Sequence, residues 1–329
     1  MNYRHLAGIA ILLATSSNVF AVDTQQENID AFIDEMVSEF DYDRATLESI
    51  LTEAEFKEKI IEQISTPAER TLTWADYRPI FMTKERVQVG ADFWRENREA
   101  LEGVSKDSGV PVEMIVGIIG VETYYGRITG GHRVLDALTT LAFYYPPREK
   151  FFRRELQEFL LLVREEDMQA VDAFGSYAGA MGRPQFMPSS YRAYAVDSTG
   201  DNKRDIWTNW TDVAGSIANY FLKHGWKPGM EVIAQATLNA QFQGSPPDNQ
   251  LSADATVASL SSSGVVFATT LNDDDDAQLL SYEGKDGTEY WVGFHNFFVI
   301  TRYNHSVMYG LAVHQLGQEI ALEVANDGS

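Results

Sequence analysis

Pro111 to Gly126 reads PVEMIVGIIGVETYYG, a nearly all-apolar run that ends on a single carboxylate, Glu122. Met114, Ile115, Ile118 and Ile119 recur at three- and four-residue spacing. Glu122 falls four residues after Ile118 and seven after Ile115, on the same stripe of a predicted helix. Gly109 ends whatever helix precedes this one, Pro111 suits a first turn, and Gly126 is a natural stop. A carboxyl on an apolar face loses solvation, and the negative end of the helix dipole adds to that, so both effects favour the protonated form. A protonated carboxyl at neutral pH is what a general acid requires. The residues alone leave a second reading open, in which Glu122 surfaces at the helix end and is simply solvated.

Working outward, Ile29, Phe32, Ile33, Met36, Val37 and Phe40 predict a helix from Glu27, and Leu47, Ile50 and Leu51 a second one running to about Ile64, with Pro67 closing the region. Trp74 to Pro79 reads as an irregular link, and Thr83 to about Asp107 as one longer helix containing Phe93 and Trp94. Beyond Glu122, Arg133 to Tyr145 reads as helix, Pro146-Pro147 breaks it, and Glu149 to about Glu165 resumes it with Phe151, Phe152, Leu156, Phe159 and Leu160. FGSYAGAMGRPQFMPSSY follows, from Phe174 to Tyr191. Its glycines at 175, 179 and 182 do not fit a dinucleotide fingerprint and predict close chain-to-chain packing instead. Asp212 to Lys223 is a further helix, and Ser306 to Glu323 the last.

Between these helices the texture changes twice. Asp197 to Thr208 reads DSTGDNKRDIWT. Asp197, Thr199, Asp201, Asp205 and Thr208 supply oxygen at loop positions 1, 3, 5, 9 and 12 of an EF-hand, and Lys203 a backbone carbonyl at position 7. Asn202 stands where the strong form has Gly and Thr208 where it has Glu. A structural calcium site and a plain acidic turn both fit. From Met230 to about Phe298, Val232, Ile233 and Ala236, then Val265-Val266-Phe267, then Tyr290-Trp291-Val292 predict strands. A turn at Pro246-Pro247, a loop at Ser261 to Gly264 and an acidic tip at Asp273 to Asp276 separate them.

Composition bounds the function. The chain has 329 residues, 44% of them hydrophobic, enough for a substantial core. Residues 1–21 combine Arg4, an apolar run from Leu6 to Ala14 and the small-residue pattern Val19-Phe20-Ala21, which reads as a cleavable signal peptide for export. No later stretch reaches the length of a transmembrane helix. There is no cysteine, so disulfides, cysteine zinc sites and lipid anchors on cysteine are excluded. A formal charge of -22 disfavours nucleic acid and anionic membrane surfaces as partners. HExxH, GxSxG and GxxxxGK[ST] motifs are absent. What remains is a carboxyl acid among 15 Tyr and 6 Trp, and flat aromatic faces suit sugar rings.

Four motifs then stand in order: Glu122-Thr123-Tyr124-Tyr125-Gly126; Ser176-Tyr177-Ala178-Gly179-Ala180-Met181-Gly182; Gln185-Phe186-Met187-Pro188-Ser189-Ser190-Tyr191; and Arg302-Tyr303-Asn304-His305-Ser306. Together they resemble the lytic transglycosylase B family, glycoside hydrolase family 103, which comprises membrane-bound and soluble lytic murein transglycosylases. The resemblance runs from about Asn28 to Gln318. It implies a mostly α fold: an N-terminal helical region (22–100), a lysozyme-like α+β catalytic core (101–229), a strand-rich insertion (230–298) and a C-terminal helix returning to the core (299–329).

The same resemblance implies an activity. The enzyme cleaves the bond between N-acetylmuramic acid and N-acetylglucosamine in peptidoglycan and leaves 1,6-anhydromuramoyl ends. Glu122 is then the sole acid/base, the substrate's N-acetyl oxygen stands in for a second carboxylate, and no cofactor is needed for the chemistry. Ser176 and Gln185 match positions near the acid, Tyr303, Asn304 and Tyr309 match the far wall of the cleft, and Tyr77, Tyr220 and Phe151 match further cleft positions. Phe151 stands where a relative has Tyr, and Arg183-Pro184 where a small Gly is common. Asp197, Thr199, Asp201, Lys203 and Asp205 correspond to the family's cation site. The expected partner is the glycan strand, met in the periplasm by a soluble monomer, with contacts to other cell-wall enzymes left open. Two alternatives remain: a hydrolytic muramidase, and a non-catalytic peptidoglycan-binding scaffold.

Overall fold

A computed structural model of the chain describes residues 16–65, 72–242, 244 and 247–326. Most of the predicted signal peptide, together with Pro67 and Pro246, lies outside these residues. Helices α1 (Ser16–Phe40), α2 (Arg44–Thr52), α3 (Glu58–Ser65), α4 (Trp74–Phe81), α5 (Lys84–Glu96) and α6 (Arg98–Ser108) lead to the central α7 (Val112–Thr123). Asp43 caps α2 by accepting the Thr46 N–H, Thr83 caps α5 by accepting that of Arg86, and Gly109 ends α6 in the left-handed region at φ 70°.

Two sequence expectations give way here. Trp74 to Pro79 is not an irregular link but most of α4. Trp74, Tyr77 and Phe81 recur on one buried face, and that burial outweighs the hydrogen bond that Pro79 removes. The single helix expected over Thr83 to Asp107 is two: the backbone turns at Asn97 (φ -110°, ψ 23°), where the Phe93 carbonyl accepts both the backbone N–H at 3.0 Å and the side-chain amide at 2.9 Å.

Helix α7 is apolar on all sides and accordingly sits inside the molecule, with Met114, Ile115, Val116, Ile118 and Ile119 all 0–1% exposed. Each such side chain contributes roughly 1.5–3 kcal/mol relative to exposure. After it come β1 (His132–Arg133), α8 (Val134–Tyr144), α9 (Glu149–Glu165), β2 (Phe174–Gly175), α10 (Pro188–Tyr194) and α11 (Trp210–Lys223), with β1 and β2 paired antiparallel. The expected close packing of the glycine-rich stretch holds. A Cβ on Gly175 would lie 2.1 Å from the Ala180 carbonyl oxygen, and Gly179 and Gly182 are left-handed.

The expected strand-rich stretch is a five-stranded antiparallel sheet in the order β4-β6-β7-β3-β5, formed by β3 (Ile233–Leu238), β4 (Ala255–Thr256), β5 (Val265–Phe267), β6 (Asp276–Gly284) and β7 (Gly287–Phe294). The loop expected over Ser261 to Gly264 begins inside helix α12 (Val257–Ser262), which a Thr256 and Ser259 capping box starts. Alternation along β6 serves two cores. Ala277 and Leu279 face an interior shared with Val257 and Phe294, while Leu280 and Tyr282 face Trp74, Phe297 and Leu311. The sheet thus clamps α4, and the chain returns to the helical body through α13 (His295–Ile300) and α14 (Val307–Asn326).

Candidate active site

Helices α7 and α14 run antiparallel and touch backbone to backbone. A Cβ on Gly117 would meet the Val313 carbonyl oxygen at 2.5 Å, and one on Gly317 would meet that of Glu113 at 2.2 Å. Glycine is required at both contacts, and the contact sets the register of the pair. At the far end that register brings Glu122 to Tyr309, whose phenol donates to Glu122 Oε1 at 2.6 Å. Glu122 is half-buried while the stripe beneath it is sealed, so the carboxyl is reachable from one side.

Burial first, and the Glu122 charge second, hold the Tyr309 and Tyr303 phenols well above the usual tyrosine value. Both remain proton donors at any working pH. The two rings stack, 6.5 Å between centroids and 13° apart, and the Tyr303 hydroxyl donates to the Pro184 carbonyl at 2.7 Å. Tyr77, buried in α4, is among the groups that face the Tyr309 phenol. Tyr220 leans on Tyr303 at 4.8 Å and donates to the Arg302 carbonyl at 2.7 Å, which makes it a wall.

Past Glu122 the chain reverses through Tyr124 and Tyr125, both left-handed at φ 50° and 58°. Non-glycine residues adopt this region at a cost that surrounding contacts must hold. Here Arg86 donates to the Gly120 carbonyl at 2.6 Å and lies 4.5 Å over the Tyr124 ring, and the Tyr125 hydroxyl donates to the Arg86 carbonyl at 3.0 Å. Ser176 Oγ accepts the Ala178 and Ala180 N–H groups, and Gln185, itself left-handed at φ 53°, donates its amide to the Thr129 and Gly182 carbonyls. The Asn304 amide makes no hydrogen bond among the described residues, although it is half-buried. Phe151 stands apart from this group: half-exposed on the first turn of α9, it meets Phe152 and the Arg148 guanidinium, 4.2 Å above its ring.

The acidic loop gathers differently from the EF-hand count. Carboxylate oxygens of Asp197, Asp201 and Asp212 lie within 4.8 Å of one another, so the third acid comes from the first turn of α11 and not from the loop. Asp205 turns away to accept the Trp207 and Thr208 N–H groups, Thr199 Oγ1 lies 3.3 Å from Asp197, and Lys203 gives its N–H to Asp201. Asp212 is fully buried and accepts the N–H groups of Ser198, Thr199 and Asp205. Burial opposes ionisation of Asp197, but N–H bonds from Asn202, Gly200 and Asp201 together hold its carboxyl below the usual range. The spacing of DSTGDNKRDIWT does not reach Asp212. An acid in the first turn of the next helix was the signal for it.

One carboxylate delivered by a buried helix to a wall of phenols and amides is the plan of a lysozyme-like glycan-cleaving enzyme, the class in which this fold places the chain. More particularly, the chain belongs to the family of the transglycosylase SLT domain, which matches residues 24–318. The membrane-bound lytic murein transglycosylase B of Escherichia coli (strain K12) is 42% identical over 304 residues, 90% of this chain and 83% of that one. The crystal structure of the soluble lytic transglycosylase SltB1 from Pseudomonas aeruginosa superposes with a TM-score of 0.86 at 46% identity, covering 90% of this chain and 99% of that one. The Escherichia coli lytic transglycosylase Slt35 in complex with calcium gives 0.82 at 41%, covering 91% and 94%.

Proposed function

We propose that the chain cleaves the β-1,4 bond between N-acetylmuramic acid and N-acetylglucosamine in peptidoglycan, with Glu122 as its single acid and base. The observation that carries this reading is where the other carboxylates are. Among the described residues the fully buried ones are Asp136, Glu155 and Asp212. Arg133 and the Glu55 N–H occupy Asp136, Ser189 occupies Glu155, and three backbone N–H groups occupy Asp212. None is a partner for Glu122 in the two-carboxylate scheme of most glycosidases.

The chemistry then closes on the substrate. The Glu122 proton passes to the glycosidic oxygen as its bond to C1 breaks, while the N-acetyl carbonyl oxygen bonds to C1 from the other face. The carboxylate next takes the proton of the C6 hydroxyl as that oxygen bonds to C1 and displaces the N-acetyl oxygen. Glu122 ends protonated, no water is consumed, and the muramoyl end is a 1,6-anhydro sugar. Ser176, Gln185 and Asn304 offer polar contacts to the sugars and Tyr77, Tyr220 and Tyr303 a wall, while Phe151, apart from them, offers a stacking face without a hydroxyl only to a strand that extends as far as α9. Digested cell-wall sacculi are expected to release muropeptides lighter by one water than reducing-end products. Reducing ends alone would make the chain a hydrolytic muramidase.

The acidic loop supports a calcium site, since three clustered carboxylates are the hard oxygen donors that ion takes. Calcium at a hundred times its Kd is expected to stabilise the fold by about 2.7 kcal/mol. Asp201→Asn, at an exposed position, should blunt the rise in Tm. No rise at millimolar calcium would leave a plain acidic turn. Export to the periplasm fits the signal segment and the murein-acting relatives. No helix among the described residues is long and apolar enough to cross a membrane.

A further inference from the structure

Arg183 lies in the loop between β2 and α10. Its guanidinium sits 3.6 Å from the centroid of the Trp210 ring, and Nη1 donates to the Thr208 carbonyl at 3.1 Å. Its backbone N–H donates to the Ile206 carbonyl at 2.9 Å. One residue is thereby fastened three ways to the segment 206–210, which closes the acidic loop and opens α11.

The other side of this loop reaches Glu122 by two routes. The Thr123 hydroxyl lies 3.1 Å from the Arg183 carbonyl and 3.2 Å from that of Ile119, one turn back in α7, and Thr123 Oγ1 accepts the Gly126 N–H at 3.1 Å, so the residue next to the acid bridges this loop and its own helix. The Pro184 carbonyl accepts the Tyr303 phenol, whose ring stacks on Tyr309, which in turn donates to Glu122. Gly126 packs under the same indole: a Cβ there would meet Trp210 at 2.9 Å and Arg183 Nε at 3.3 Å. The reversed turn after α7, the Arg183 side chain and the start of α11 form one packed unit.

We infer that Arg183 is a positioning residue for Glu122: its side chain pins residues 182–185 to the segment 206–210, and the carbonyls of Arg183 and Pro184 then fix the acid. The guanidinium is suited to this because it can sit over an indole while donating in its own plane, which an ammonium does not do. Catalysis is sensitive to such support, since a displacement of about 1 Å at the reacting groups can cost on the order of a hundredfold in rate. The inference rests on Glu122 as the acid.

The test compares kcat, KM and Tm of the full chain on solubilised glycan strands. Arg183→Ala is expected to lower kcat roughly ten- to a hundredfold with KM nearly unchanged, and Arg183→Lys to recover little of it. Thr123→Val should lose kcat by the same route, Thr123→Ser should recover most of it, and Arg183→Ala with Thr123→Val should fall little below the worse single variant. An unchanged kcat in Arg183→Ala, a rise in KM alone, or fully additive losses would overturn the inference. Should Arg183→Ala not fold, the Thr123 pair decides, and a Thr123→Val chain as active as the parent overturns it. The two readings fail separately: an active Glu122→Gln chain removes the acid, whereas an inactive one beside an unimpaired Arg183→Ala removes only the link.

Discussion

Glu122→Gln is expected to cut muropeptide release by roughly a thousandfold or more, toward the upper end of what a general acid contributes. The substitution keeps volume and an acceptor oxygen, so the Tyr309 phenol retains its 2.6 Å hydrogen-bond position and the α7 to α14 contact is undisturbed. What is lost is a proton that can be given and taken back at one atom. The other buried carboxylates among the described residues, Asp136, Glu155 and Asp212, are taken up by their own hydrogen-bond partners. Glycan binding and Tm should stay near those of the parent chain. Release that survives the change would remove Glu122 from its role. A parent chain that binds glycan and releases nothing would be the non-catalytic scaffold.

Tyr309→Phe is expected to have the second largest effect. It removes the hydrogen bond to Glu122 Oε1 while leaving the ring that stacks on Tyr303. A hydrogen bond to a charged group contributes about 1.5–3 kcal/mol, which corresponds to roughly ten- to a hundredfold in rate if it is expressed in the transition state. The loss should fall on kcat, because the phenol orients the acid and a glycan is held by other side chains. Burial keeps the phenol protonated, so the deficit should not be relieved by raising pH within the range where the fold is stable. A Tyr309→Phe chain with parental kcat would show that the carboxyl is oriented from elsewhere.

The central helix was legible because its code is local. Met114, Ile115, Ile118 and Ile119 repeat at helical spacing, and Glu122 continues their stripe. Its partner was not legible in that way, because Tyr309 lies 187 residues further on and reaches Glu122 through a glycine contact between two helices. Only the resemblance named it. Local reading also failed where a strong local signal was overruled. Pro79 argued against α4, yet Trp74, Tyr77 and Phe81 bury enough surface against β6 and α14 to keep the helix. Asn97 is the converse case, a backbone turn that ends α5 inside a stretch whose apolar pattern continues.

The cation loop shows the same limit. Asp197 and Asp201 were found by spacing, whereas Asp212 joins them only because α11 begins where its first turn faces the loop. The resemblance points to Ser176 and Gln185, but their turn contacts come from the fold. Ser176 accepts two N–H groups of its own turn, and Gln185 needs a left-handed backbone held by two carbonyls.

The most direct test of the central claim is to digest sacculi with the parent chain in water enriched in heavy oxygen and weigh the new muramoyl ends. If the C6 hydroxyl of the sugar attacks C1 under the Glu122 carboxylate, the products are anhydro sugars that carry no heavy oxygen. Ends that are heavier and reducing, with one solvent oxygen at each cleaved bond, would contradict it.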